Sequence, residues 1–322
     1  MKALVTGITG RIGANLAAEL CRGGHHVRGL VWDRDRRVEK LAGLDVELVD
    51  GNLQVAEDVE RSVAGCDVVF HLGGAFQGGG PFSDQEYFDI NVGGTLSLLT
   101  AVRATGAQVV LASTDALYDK YRHGGMPDPI DETHPPAPNG MYALSKLLAE
   151  QLCLGFHRMY GLPTTILRFA YVLGAGEILD FPQFWLSKLK DRDAAAEVLW
   201  NGEERLVALR DPTGLVYKKH VADVRDIVAG CLCAAGNETS YGEVTQLAGP
   251  RPFTWDEAVH HLSRRLDVPV VELTSDAVPT HYEYDLRKAN DLLGFSPRYD
   301  VARMIDDAVS HRRGENSEVL PT

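Results

Sequence analysis

The chain has no apolar run of about 18 residues, the length a membrane-spanning helix needs, so none of its 322 residues is expected to cross a bilayer. It has no basic excess. Lys plus Arg number 32 against 45 Asp plus Glu, a formal net charge of −13. Nucleic acid and anionic membrane both reward a basic footprint, so neither is expected as a main partner. Cysteine is scarce: Cys21, Cys66, Cys153, Cys231 and Cys233 are odd in number and form no CxxC pair. Such scattered thiols read as reduced core residues of a cytoplasmic protein. No metal site is expected, because Asp131-Glu132-Thr133-His134 has no second His or Cys at ligand spacing. No GxSxG context supports a Ser/His/Asp hydrolase. No signal segment is expected, since Met1 leads straight into a strand pattern.

What is present is an ordinary globular composition, 45% hydrophobic, at a length that suits two domains or one large domain with an appendage. Apolar runs at 2–6, 26–31, 46–49, 67–72, 109–112 and 164–169 alternate with helical spacing at 11–22, 35–42, 55–64 and 84–105. This alternation predicts a doubly wound α/β fold, a parallel Rossmann sheet covered on both faces. After Gly174 the alternation fades, and helices are predicted at 223–235, 254–265, 286–293 and 300–312. The expected division is a dinucleotide-binding domain over 1–172 and a smaller, mostly helical substrate-binding region over 173–322, crossing back to the sheet around 216–248. That region is expected over the carboxyl edge of the sheet, where open α/β folds bind ligands.

The first strand runs into Thr6-Gly7-Ile8-Thr9-Gly10-Arg11-Ile12-Gly13 and then into a helix. Glycines so placed let the backbone turn tightly and approach a pyrophosphate, while the helix start supplies N–H donors. Against a net charge of −13, an anionic cofactor has to be held locally, by this backbone and by cations such as Arg11. An acid after the second strand accepts adenosine ribose hydroxyls, and Asp33 is the candidate. This favours NAD, with NADP as the alternative because Arg34, Arg36 and Arg37 stand ready for a 2′-phosphate. Asp50-Gly51-Asn52-Leu53 reads either as a flank for the adenine or as an ordinary polar loop.

A second motif, Tyr142-Ala143-Leu144-Ser145-Lys146, opens a helix after Pro135-Pro136-Ala137-Pro138. Residues four apart share a helix face. A free phenol has a pKa near 10, and a nearby ammonium favours the phenolate. Such a pair can move a proton to or from a carbinol oxygen while hydride moves to or from a nicotinamide. Between the motifs, Ser113-Thr114-Asp115 ends the fifth strand, where Thr114 can orient a substrate oxygen toward Tyr142; turn capping is the plainer reading. The loop after the fourth strand, Gly73 to Gly80, is either a substrate lid, with Phe76 and Gln77 as contacts, or a flexible connection.

Together these motifs make the chain similar to the extended short-chain dehydrogenase/reductase family, the NAD-dependent epimerases and dehydratases. Val69-Phe70-His71-Leu72-Gly73-Gly74, Asn91-Val92-Gly93-Gly94-Thr95, Leu167-Arg168-Phe169 and His220-Val221-Ala222-Asp223 extend the resemblance over nearly the whole chain. The resemblance implies that Gly7, Gly10 and Gly13 hold the pyrophosphate, with Thr9, Arg11 and Ile12 in the same turn. It implies that Asn52 and Leu53 meet the adenine, that Gly73 lies near the phosphates and ribose, and that Asn91 and Val172 complete the cofactor contacts. Tyr142 is then the acid/base, Lys146 binds the nicotinamide ribose and tunes Tyr142, and Thr114 holds the substrate oxygen. It also implies a homodimer built on the helices at about 84–105 and 140–160.

The departures narrow the chemistry. Dehydratase members carry an acid after the catalytic hydroxyl, and here Asp115 is followed by Ala116, which disfavours elimination. Nucleotide-sugar members have an Asn where this chain has Tyr171, and an Arg near the place that reads Val216-Tyr217-Lys218-Lys219. Lys218 or Lys219 stands in as a phosphate contact or is surface charge. The expected activity is NAD(P)-dependent hydride transfer between nicotinamide and a secondary alcohol or ketone of a small sugar, polyol or related carbonyl compound. Asp115, Tyr118, Tyr171, Phe76 and Gln77 are expected to shape the pocket. The alternatives are an epimerase with retained cofactor and a dinucleotide-binding sensor without turnover.

Overall fold

The computed structural model describes residues 1–32, 35–78, 80–315 and 319–321. Seven strands form the central sheet: β1 Lys2–Thr6, β2 His26–Val31, β3 Val46–Asp50, β4 Val68–His71, β5 Gln108–Thr114, β6 Thr164–Phe169 and β7 Glu243–Leu247. All neighbours pair in parallel, in the spatial order β7-β6-β5-β4-β1-β2-β3. The order reverses between β1 and β4, and ligands of open α/β sheets bind at such a reversal.

Parallel strands buried on both faces are apolar at successive positions. In β1, Ala3 and Val5 enter one core while Leu4 enters the other. The first core lies under helix α1 (Arg11–Arg22), which packs on a C-terminal helix, Val224–Ala234. The second lies under α2 (Ala56–Val63), α3 (Gly94–Thr105) and α4 (Met141–Tyr160), with Val59, Leu98, Leu99, Ala149 and Phe156 inside. A third apolar cluster fills the C-terminal region, where Phe181, Phe184, Leu206, Phe253, Trp255 and Ile305 meet. There Leu206–Arg210 pairs in parallel with Val270–Thr274, a strand inside the stretch 175–215 that shows no alternation.

Two expectations change. The helix expected over 84–105 is broken into Asp84–Tyr87, a wider π-turn over Phe88–Gly93, and α3. The helix expected over 35–42 is a 3₁₀ turn, Arg36–Leu41, capped by the Asp35 carboxylate.

Candidate active site

The glycine turn stands at the sheet reversal. Gly7 has φ +68°, a left-handed conformation that favours glycine. A Cβ there would lie 2.7 Å from Gly73 Cα, and one on Gly13 would lie 2.1 Å from the Gly7 carbonyl oxygen. The backbones of β1, the β4 exit and α1 therefore converge on a cradle that side chains would fill. Gly10 caps α1 without a side-chain hydrogen bond, and no acid occupies the first turn. Its first N–H groups thus present the positive dipole end that suits a phosphate. Arg11 donates to the Val172 carbonyl (3.0 Å) and to Glu177 (2.7 Å), tying the turn to the segment after β6. Ile12 is partly buried against the first core.

Asp33 and Arg34 lie outside the described residues. Asp35, not singled out from sequence, reaches the turn: Thr9 Oγ1 donates to its carboxylate at 2.5 Å. Arg37 donates to the same group through Nε and Nη2, and these bonds hold the Asp35 carboxyl down at about 2. Asn52 uses its side-chain oxygen on the Gln54 N–H (3.0 Å), and Leu53 packs beside Gly73 and Gly94.

At the carboxyl end of β5, Thr114 is buried, its hydroxyl accepts from the Ala116 N–H (3.1 Å), and it exerts a lowering influence on the Tyr142 phenol. Lys146 follows one helical turn later on α4. Its ammonium makes no hydrogen bond or ion pair among the described residues, and burial brings its pKa down to about 8 against the raising influence of Glu150. Lys146 was expected to lower the phenol pKa. Instead the Tyr142 phenol is held above its ordinary value, because burial, Asp115 and Tyr87 outweigh the lowering influence of Thr114. The Tyr87 ring lies 6.1 Å from that of Tyr142, and its hydroxyl donates to the Phe76 carbonyl (3.4 Å). The loop carrying exposed Phe76 and Gln77 is thereby held near the phenol.

Two buried networks position these groups, and both escaped the sequence reading. In one, the Gly73 N–H donates to Thr6 Oγ1, which donates to His71 Nδ1 (2.9 Å). His71 Nε2 donates to Thr95 Oγ1 (3.0 Å), which donates to the Asn91 carbonyl. This direction follows because the Thr95 hydroxyl hydrogen is committed to Asn91. Burial, with Lys146 nearby, drives the His71 pKa down to about 3, so the ring is neutral. The Asn91 side chain then pairs with both backbone groups of Ala75 and donates to Ser145 Oγ on α4. In the other network, Glu150 accepts from Arg168 Nε (2.9 Å), Arg168 Nη2 (2.8 Å) and Ser113 Oγ (2.5 Å).

The expected pocket residues separate. Tyr118 is buried and its hydroxyl accepts from Arg168 Nη1. Asp115 is buried too, bound to Lys120 Nζ and to the Tyr284 hydroxyl, both at 2.6 Å. Tyr171 stays about half exposed, its ring edge-on to Phe181. Lys218 pairs with Glu283 (2.8 Å), whereas Lys219 is buried under the Tyr171 ring.

Comparison with known proteins agrees with this geometry. A protein of the short-chain dehydrogenase/reductase superfamily from Agrobacterium tumefaciens, solved with bound NAD, superposes with a TM-score of 0.85 at 29% identity, over 98% of both chains. An uncharacterized UDP-glucose epimerase of Bacillus subtilis, YtcB, is 27% identical over 97% of this chain and 96% of its own. A Stigmatella aurantiaca ketoreductase acting on a farnesylated dihydroquinoline oxide is 33% identical over 57% of this chain. The match spans about half the length of that ketoreductase and of several other curated relatives. The profile of the NAD dependent epimerase/dehydratase family covers residues 3–247, and the chain belongs to that family.

Proposed function

We propose that the chain is an NAD-dependent oxidoreductase interconverting a secondary alcohol and a ketone on a small sugar, polyol or related carbonyl compound. The observation that carries this is the buried Thr114 hydroxyl acting on the Tyr142 phenol, one helical turn from a Lys146 ammonium that makes no hydrogen bond or ion pair among the described residues. The residues fit a dinucleotide: Gly7 and Gly13 admit no Cβ where they meet the Gly73 and Gly7 backbones, and the α1 start is uncapped. When bound, the nicotinamide supplies the hydride acceptor or donor. Thr114 holds the substrate oxygen, and Tyr142 gives or takes the proton at its phenol oxygen. At neutral pH the phenol is protonated, the form that donates to a ketone. Lys146 holds ribose hydroxyls. Asp35 supports NAD over NADP, because it occupies Arg37 and sets a carboxylate beside Thr9.

We further propose a cytoplasmic homodimer joined through α3 and α4, whose outer faces expose Leu96, Leu144, Met159 and Tyr160. No described helix is long and apolar enough to cross a membrane. The test is Tyr142→Phe, assayed by reduced-nicotinamide absorbance over a panel of polyols and sugars. Turnover should fall roughly 10²- to 10⁴-fold with NAD affinity unchanged; intact turnover overturns the assignment. NAD that stays bound through purification and does not exchange favours the epimerase reading, which the UDP-glucose epimerase relatives support.

A further inference from the structure

Lys218 and Lys219 are adjacent on a short strand, and alternation sends their side chains to opposite sides. Lys218 finds Glu283 at 2.8 Å. Lys219 is turned inward and is 8% exposed, yet its ammonium makes no hydrogen bond or ion pair among the described residues. Its surroundings are the faces of Tyr171 and Phe181, with ring centroids 4.6 and 4.9 Å from Nζ. Two rings offer cation–π attraction but leave the three N–H donors without lone pairs to meet. The side chain is buried but Nζ is not fully enclosed, so its donors remain open to a ligand acceptor.

The location is specific. Thr114 on β5 is in register with Phe169 on β6, and Tyr171 follows two residues later. Lys219, over the Tyr171 ring, therefore lies toward the carboxyl edge of the sheet, and it feels the charges of Lys120 and of Asp115, the residue that follows Thr114. The carboxylate of Asp115 is already bound by Lys120 and Tyr284. Two cations against one anion leave one positive charge uncompensated. Burial lowers the Lys219 pKa to about 8, so the ammonium remains mostly charged at neutral pH.

We infer that Lys219 binds a carboxylate of the substrate, which makes the substrate a small hydroxy or keto acid, such as a sugar acid, and not a neutral polyol. This rests on the oxidoreductase reading and narrows its substrate. A monoanion matches the single uncompensated charge, and the influence of Asp115, which follows Thr114, sets that charge on the side of the sheet where the reacting carbon is proposed. A diphosphate carries more charge than this pocket neutralises.

The test uses the NAD-loaded chain and equilibrium binding of D-gluconate and D-glucuronate. Methyl glucuronate ester and D-glucitol are the neutral counterparts, and inorganic phosphate and UDP test the phosphate source. The carboxylates should bind at least roughly 10-fold tighter than their neutral counterparts, and Lys219→Met should weaken them roughly 10- to 100-fold. NAD affinity should hold in that variant, and Lys218→Met should leave carboxylate binding unchanged. Equal binding of the ester, binding of phosphate or UDP in place of the carboxylates, an unaffected Lys219→Met, or no carboxylate binding below roughly 10 mM each overturns the inference. Turnover of neutral alcohols without carboxylate preference overturns it while sparing the oxidoreductase. Carboxylate binding through Lys219 without any hydride transfer supports it and overturns the oxidoreductase instead.

Discussion

Glu150→Gln is the substitution with the most to say about how the site is held. Tyr142, Lys146 and Glu150 recur every four residues on α4, so one helix face carries all three toward the sheet. Ser113 and Arg168 are cross-strand partners on β5 and β6, and both bind Glu150. The side chains of Glu150 and Arg168 are 0% and 5% exposed. Gln keeps the shape but sets an amide donor against guanidinium donors, and Arg168 cannot shed its proton. Removing one member of a buried ion pair costs about 3–5 kcal/mol. Unfolding entropy of roughly 2.1 cal/mol/K per residue gives this 322-residue chain about 0.7 kcal/mol/K, so a loss of about 4 kcal/mol lowers Tm by about 6 °C.

Scanning calorimetry checks that figure, and the double variant Glu150→Leu with Arg168→Met checks its cause. Replacing both charges with apolar groups removes the stranded guanidinium, so most of the lost stability should return. A residual deficit of about 1 kcal/mol should remain for each of Ser113 and Tyr118, whose hydroxyls lose their partners. Glu150 also raises the Lys146 pKa, so Glu150→Gln should move Lys146 below its value of about 8 and bring the alkaline fall of activity to lower pH. A Tm within about 2 °C of the parent, or a double variant less stable than Glu150→Gln, refutes the reasoning.

Gly13→Ala should destabilise the chain by about 1–3 kcal/mol and abolish dinucleotide binding, because the new Cβ would meet the Gly7 carbonyl at 2.1 Å. Gly10→Ala, with its contact at 3.2 Å, should be milder in both thermal melts and NAD titration. Stability should fall on acidification through two buried neutral histidines, His71 with a pKa of about 3 and His220 of about 4. In the unfolded chain both titrate near 6.5, so between that pH and the folded values the unfolded state binds more protons. The loss at pH 5 should be about 2 kcal/mol per ring, and His71→Asn should flatten the pH dependence of Tm by about that share. An unchanged slope would count against the neutral assignment.

The doubly wound half of the fold was readable because its strands are short, mostly apolar on both faces away from the β3 edge, and bounded by turns. Strand β7 was legible only as a return to the sheet somewhere within 216–248, because Thr245 and Gln246 are buried there and interrupt the apolar pattern. The break in the 84–105 helix was equally hidden. Asn91 has to reach Ala75 and Ser145 at once, and the wider π-turn that carries it leaves no mark in hydrophobic spacing. Glu150 looks like any polar residue of an amphipathic helix until Arg168 is seen across the fold. Asp35 was passed over for Asp33 because strand-end spacing does not reveal which acid the Thr9 hydroxyl meets.

The glycine turn and the Tyr142 helix were separate motifs in the sequence, and the His71 network makes them one device. Its hydrogen bonds run in a single direction from Gly73 through Thr6 and His71 to Thr95 and Asn91. Ser145, three residues after Tyr142, closes the chain by accepting from Asn91 and donating to the Tyr142 carbonyl. A protonated His71 would carry hydrogens on both nitrogens, and Thr6 could no longer donate to Nδ1. Lys146 adds a second reason for neutrality, since its charge also disfavours a cation at His71. The ammonium one helical turn from Tyr142 thus helps keep the ring neutral, and the neutral ring in turn registers α4 against the glycine cradle.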